Sequence, residues 1–191
     1  MPDTEIVQDT DPRCAELEAA GYRVVGESWA AHLVNPDRDL LESAVRRATA
    51  SGLTVRELGA ESAEALHKLE KLNENDYPVT PATHRVVGEL ETTRALWSGN
   101  RVFGAFDGSR LVGATVIRSH EGSGDTKFTS VLASYRRRGV GQAVKAASIL
   151  AFLDIGITRF STGGAAVNDG SIGANQALGY VVDERWRSYA L

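Results

Sequence analysis

The stretch from Lys127 to Ile155 constrains the fold of this chain more than any other. Lys127 to Leu132 has the composition of a strand, and Val140 to Ile155 has the length and apolar content of a long helix, with a short loop between them. The joint reads Arg136-Arg137-Arg138-Gly139-Val140-Gly141-Gln142-Ala143. Glycines at 139 and 141 bare the backbone amides at the helix start, where unpaired N–H groups and aligned peptide dipoles attract an anion. A diphosphate suits such a place, and three guanidinium groups on the approach supply matching charge and geometry. The arginines alone are equally well explained as a solvated face. Two other phosphate motifs fit worse: no Gly-Lys-Ser or Gly-Lys-Thr closes a P-loop, and Val144 stands where a dinucleotide fingerprint needs its third glycine.

Around this joint the pattern alternates. Arg101 to Phe106 and Arg110 to Ile117 form a hairpin about Asp107-Gly108, and after the long helix come a short strand at Arg159 to Ser161, a helix at Ser171 to Leu178 and a last strand at Tyr180 to Leu191. Upstream, Leu40, Leu41, Ala44, Val45 and Ala48 recur at helical spacing, Leu53 to Leu58 alternates like a strand, and Ala65, Leu66, Leu69 and Leu72 share one helical face. Two prolines make Asn75 to Pro81 a loop, and a helix is expected from Ala82 to Trp97. The alternation implies a mixed α/β architecture.

The two ends of the chain echo each other. Gly21-Tyr22-Arg23-Val24-Val25-Gly26-Glu27-Ser28-Trp29 resembles Gly179-Tyr180-Val181-Val182-Asp183-Glu184-Arg185-Trp186 with one residue gapped, and each follows a short helical segment. Either strand composition repeats itself by chance, or residues 11–34 are the tail of a degenerate preceding repeat. On the second reading residues 1–52 form an N-terminal extension to a domain over 53–191.

The totals narrow the function classes. In 191 residues with 42% hydrophobic and 24% charged content one core is expected, and a net charge of −4 without a basic, aromatic-laced run argues against nucleic acid. Cys14 is the lone cysteine, which rules out an internal disulfide and a cysteine-based metal cluster; no metal site is expected. The acidic start and the lack of a long apolar run argue against a signal peptide or membrane span, so a cytoplasmic protein is expected.

At Arg136 to Gly141 the chain resembles the GNAT acetyltransferase superfamily, whose signature is Gln or Arg, two residues, Gly, one residue, then Gly or Ala. The resemblance extends through Thr162-Gly163-Gly164-Ala165-Ala166-Val167-Asn168 and through Asn175-Gln176-Ala177-Leu178-Gly179-Tyr180. Lys145, Asn168 and Asn175 look most like the mycothiol-synthase-like branch, which often carries two fused units. The likeness implies a mixed, largely antiparallel sheet splayed at its middle strands and flanked by helices. It also implies acetyl-coenzyme A as donor and a small-molecule amine as acceptor, in a monomer or homodimer whose N-terminal strand pairs within the chain or across the dimer. The implied coenzyme residues are Val131, Leu132, Ala133, Arg136, Arg137, Arg138, Gly139, Val140, Gly141, Gln142, Ala143, Asn168, Ser171 and Asn175, with amides near Val131 and Leu132 serving the thioester.

The proton-handling groups are less determined. The tyrosine that many members use as acid toward the thiolate aligns with Asn175, an amide, which leaves Ser171 and Tyr189 as substitutes. Candidate bases are Glu74, Asp76 and Asp125, then Glu70, Glu121, His84 and His120. Tyr77 and Trp97 are candidate linings of the acceptor pocket. Besides a small-molecule acetyltransferase, the residues admit a non-catalytic acyl-coenzyme A sensor, or a modifier of protein amines docking at Glu89-Leu90-Glu91.

Overall fold

The computed structural model describes residues 4–83 and 86–191. Among these residues eight strands, β1 (Glu5–Gln8), β2 (Arg23–Val34), β3 (Thr54–Leu58), β4 (Arg101–Asp107), β5 (Arg110–His120), β6 (Ser123–Val131), β7 (Arg159–Ala165) and β8 (Val181–Ala190), join one sheet in the order β1-β8-β2-β7-β6-β5-β4-β3. Every pairing is antiparallel except β6 with β7. The α-helices among the described residues are α1 (Arg13–Ala19), α2 (Arg38–Ala50), α3 (Ala63–Asn73), α4 (Leu90–Arg94), α5 (Val140–Leu153) and α6 (Asp169–Gln176). Among the described residues, no helix is long and apolar enough to cross a membrane.

Helices cover both faces of the sheet centre, which is why β5 is buried without interruption from Leu111 to Ile117. On one face α5 comes so close that a β-carbon at Gly113 would lie 2.6 Å from the Val140 side chain. On the other, Asn73 of α3 donates to Ser130 of β6. α5 is apolar nearly all round because it is packed on two sides. Its Val140, Ala143 and Val144 join a cluster with Leu66, Leu69, Val112 and Val116. Its Ala146, Ile149 and Phe152 join another with Trp29, Leu33, Leu41 and Phe160. α2 starts at Asp37, whose side chain accepts from the amides of Asp39 and Leu40, and buries the expected Leu41, Ala44 and Ala48.

The N-terminal segment is woven into the sheet rather than appended. β2 lies between β7 and β8, pairing with both within this chain. Trp29, 2% exposed, donates from Nε1 to the Ala165 carbonyl, and β7 makes room for its ring with Gly164, where a β-carbon would lie 3.0 Å from the indole.

The strand expected to end at Ser161 runs on to Ala165 as β7, and two further segments depart from expectation. The helix expected from Ala82 to Trp97 contracts to Leu90–Arg94 and a 3-10 turn at Ala95–Trp97. Lys71 donates to the Val87 carbonyl and Glu74 accepts from the Val87 amide, so that peptide is held against α3 instead of entering a helix. The hairpin of β5 and β6 runs past Ile117 to a tight turn at Glu121 and Gly122, both with positive φ, so the strand expected from Lys127 begins at Ser123.

Candidate active site

The parallel ladder of β6 and β7 is only two pairs long, Gly124 with Phe160 and Asp125 with Ser161. Beyond it β7 follows β2 as far as Ala165, while β6 follows β5 as far as Val131. The two parallel neighbours therefore part and leave a wedge between them, with its apex at Asp125 and Ser161. The Leu132 amide donates to the Val112 carbonyl of β5, so the alternation of an antiparallel pair turns the main-chain groups of Val131 and Thr129 toward the wedge. This corrects one expectation: Leu132 cannot offer its amide to a ligand, because β5 already uses it.

At the mouth of the wedge α5 begins. Gly139 takes φ 78°, a left-handed conformation that costs an L residue about 1–2 kcal/mol, and no side chain caps the helix. The first intrahelical bond runs from the Ala143 amide to the Gly139 carbonyl, leaving the amides of Val140, Gly141 and Gln142 without an intrahelical acceptor. A β-carbon at Gly141 would sit 3.5 Å from Val131, so larger side chains there crowd the β6 edge. Val140 and Ala143 bury their side chains in the core and offer only backbone; Ala133 lies in a 3-10 turn.

The three arginines act differently. Arg136 turns back toward the wedge: its Nε donates to the Val131 carbonyl at 3.1 Å and its Nη2 to Asp76 at 2.5 Å and Asn73 at 3.4 Å. Arg138 stacks on Tyr135, whose hydroxyl donates to Asp107, and Arg137 is exposed. Two cations thus remain beside the helix start.

The loop after α3 bridges the mouth. Asp76 fastens it to Arg136 on the β6 side, and Pro81 and Thr80 press on Gly26 of β2 on the other. Beneath it runs a cleft of about 470 Å³ lined by Val24, Val25, Gly26, Glu27, Pro78, Val79, Thr80, Ala166 and Val167. Its walls are mainly aliphatic, and Glu27 supplies its one carboxylate. Val25 reaches it through a bulge in β2, between Val24 and Gly26. Glu27 escaped the sequence reading because only the insertion of β2 beside β7 brings it here.

The other candidates are distributed unevenly. Tyr77 precedes the cleft lining and donates its hydroxyl to the buried Glu70. Trp97 does not join it: the indole donates to the Leu58 carbonyl on β3, three strands beyond β6, and packs on the core. Glu74 is paired with Lys71 and clamps Val87. Asp125 stands at the wedge apex, accepting from Ser161 and Arg118. Tyr189 is remote, its hydroxyl donating to Glu18 in a cluster with Val7 and Cys14. His120 and Glu121 sit on the hairpin turn past the closed end of the wedge, and His84 lies outside the described residues. Asn168 caps α6 by accepting from the Ser171 amide.

Asn175 is buried and orients its amide by donating to the Ser171 carbonyl, which points its Oδ1 at Lys145. Burial alone pulls the Lys145 ammonium down from the ordinary 10.5 to about 7. Sequence reading noted Lys145 only as a mark of resemblance; its lone charge on an otherwise apolar helix was the available signal.

No family model matches this sequence, and no curated protein matches it. Solved structures do. The chain aligns with a GCN5-related N-acetyltransferase from Sphaerobacter thermophilus at 16% identity and TM-score 0.72, over 97% of this chain and 58% of that one. A tandem GNAT protein from the clavulanic acid biosynthesis pathway aligns at 18% identity and TM-score 0.66, over 98% and 63%. A GCN5-related N-acetyltransferase from Kribbella flavida aligns at 18% identity and TM-score 0.62, over 98% and 67%. The chain thus spans less than two thirds of the length of the first two. At these identities the comparison establishes the fold: this is the GNAT fold, a mostly antiparallel eight-stranded sheet flanked by helices.

Proposed function

We propose that the chain is an acetyl-coenzyme A dependent N-acetyltransferase for a small-molecule amine. The observation that carries this reading is the wedge between β6 and β7 ending at an uncapped helix start with glycine at two of its first three positions. Amides of Val140, Gly141 and Gln142, with Arg137 and Arg138, would hold the diphosphate, and the main chain of Thr129 and Val131 the pantetheine arm. The bound donor supplies an activated acyl thioester. For the acceptor, the aliphatic cleft under the 76–81 loop suits an amine carried on an apolar stem, with Glu27 to receive its ammonium end. Asp125 at the apex remains a candidate base; Asp76 and Glu74 hold the loop instead. Positioning and main-chain donors account for the rest of the catalysis asked of such a site.

We also propose that β1-α1-β2 descends from the closing segment of a preceding copy of the fold, as in fused members of the mycothiol-synthase-like branch. Three features support it. Shortly after α1 comes Gly21 and shortly after α6 Gly179, each with φ 91°. The next amide in each case reaches back to the same relative carbonyl, Tyr22 to Leu17 and Tyr180 to Asn175. The strands interleave as β1-β8-β2-β7, so each segment inserts a strand into the other.

Release of free thiol from acetyl-coenzyme A, followed against a panel of amines with and without apolar stems, tests the activity. Turnover with any amine that vanishes in Gly141→Trp supports it. Tight coenzyme binding with no turnover across the panel points instead to a sensor of acyl-coenzyme A.

A further inference from the structure

Lys145 is 4% exposed and is the one lysine or arginine of the buried class among the described residues. A buried ammonium ordinarily brings a carboxylate with it, yet none pairs with Lys145 among the described residues. Its Nζ donates to Thr162 Oγ1 at 3.0 Å and to Asn175 Oδ1, and lies 5.2 Å from the centre of the Tyr180 ring. Two of its three protons are engaged by these neutral acceptors.

The location matters as much as the burial. Thr162 is the first residue of β7 beyond the last ladder pair, so the ammonium sits at the apex of the wedge on the α5 face. Thr126, the residue after that pair on β6, and Tyr180 each carry a buried hydroxyl. Burial raises the Tyr180 phenol well above its usual range, which keeps it neutral. Asp125, the carboxylate on the neighbouring strand, is engaged by Ser161 and Arg118. α5 thus brings one cation, set among neutral groups, to the inner end of the opening whose outer end carries the anion-binding helix start.

The geometry points to Lys145 as the proton donor to the leaving thiolate, with Asn175 and Thr162 as positioning residues. This inference rests on the coenzyme reading of the wedge. A donor with its diphosphate at Gly139 to Gln142 and its arm along Val131 and Thr129 runs inward toward the apex. As the acceptor nitrogen bonds to the acyl carbon, the carbon–sulfur bond breaks and sulfur leaves with the electron pair. A proton passes from Lys145 Nζ to sulfur, giving free thiol and a neutral lysine. The proton lost by the acceptor nitrogen on becoming an amide recharges that lysine through solvent. A lysine held near pKa 7 by burial suits the task, being charged enough to give its proton and able to lose it. The residue at the position where an acid is missing, Asn175, then acts by aiming Lys145.

The test needs no acceptor. Free coenzyme A is bound to the protein, and ionisation of its thiol is followed by thiolate absorbance in the ultraviolet as pH is varied. In the native protein the bound thiol should ionise at least about one pH unit below the ordinary thiol value of about 8.5. In Lys145→Met that acidification should disappear while coenzyme affinity stays within about threefold, since each tenfold would mean about 1.4 kcal/mol of lost contact. Asn175→Asp places a carboxylate on the ammonium, which should raise the Lys145 midpoint and, by opposing its field at sulfur, shrink the thiol acidification. Should Lys145→Met fail to fold, nitrogen-15 shifts of the native lysine amines, assigned with Lys145→Arg, serve instead: the Lys145 midpoint should rise when coenzyme A binds. Equal thiol ionisation in native protein and Lys145→Met, or a Lys145 midpoint indifferent to coenzyme A, overturns the proposal while leaving the coenzyme site standing. Failure of native protein to bind coenzyme A overturns both.

Discussion

The two walls of the wedge are built by different means. The β6 wall, from Thr129 through Lys145, is one continuous stretch in which strand, turn and helix start follow from local spacing. The opposite wall is assembled from residues far apart in sequence: β2 at 24–27, the loop at 76–81 and the turn after β7 at 166–167. The first is the kind of wall that holds a constant ligand part, the second the kind that varies with its ligand. Mutations should therefore separate them, global stability answering to the assembled wall and coenzyme affinity to the continuous one.

The largest effect on stability is expected from Trp29→Ala, which empties the joint between β2 and β7 and should cost about 3–5 kcal/mol in urea unfolding. A loss near zero would mean that β2 is not a structural member of this wall. Next, Gly139→Val on the other wall forces a branched residue into φ 78° and should cost about 1–2 kcal/mol while weakening coenzyme binding. Lys145 gives a pH-dependent difference. The folded protein holds this proton less tightly than the unfolded chain, so the cost of the buried charge is full below pH about 7 and fades as pH rises toward 10.5. Lys145→Met should accordingly gain most on the native protein near pH 6 and least near pH 9.5, and unfolding at the two pH values reads the difference directly. The smallest effect is expected from Asp76→Ala, which breaks a half-exposed ion pair: about 0–1 kcal/mol in stability, with a mobile 76–81 loop as the signature in amide hydrogen exchange.

What could be read from sequence follows the same division. The α5 start was legible because Gly139 and Gly141 impose backbone geometry by their own nature, and α2 because Asp37 and the Leu41, Ala44, Ala48 spacing are local. The expected helix over 82–97 failed because Lys71 and Glu74, on another helix, take the Val87 peptide. Leu132 was misjudged because which amides of β6 face the wedge depends on the register with β5. Trp97 was drawn to the acceptor pocket by residue type, whereas the Leu58 carbonyl decides where it sits. Glu27 and the Lys145 cluster became visible only once the strand order brought β2 beside β7 and Thr162 beneath α5. The echo between the two chain ends was legible; that its strands would be neighbours was not.

Isothermal titration of the folded protein with coenzyme A tests the central claim most directly, run beside Gly141→Trp with melting curves for both. The account predicts one coenzyme per chain in the native protein and at least about 100-fold weaker binding in Gly141→Trp, a loss of about 2.7 kcal/mol, with the melt intact. Native protein that melts cooperatively yet binds no coenzyme A at millimolar concentration, or a Gly141→Trp variant that binds as tightly as the native chain, would contradict it.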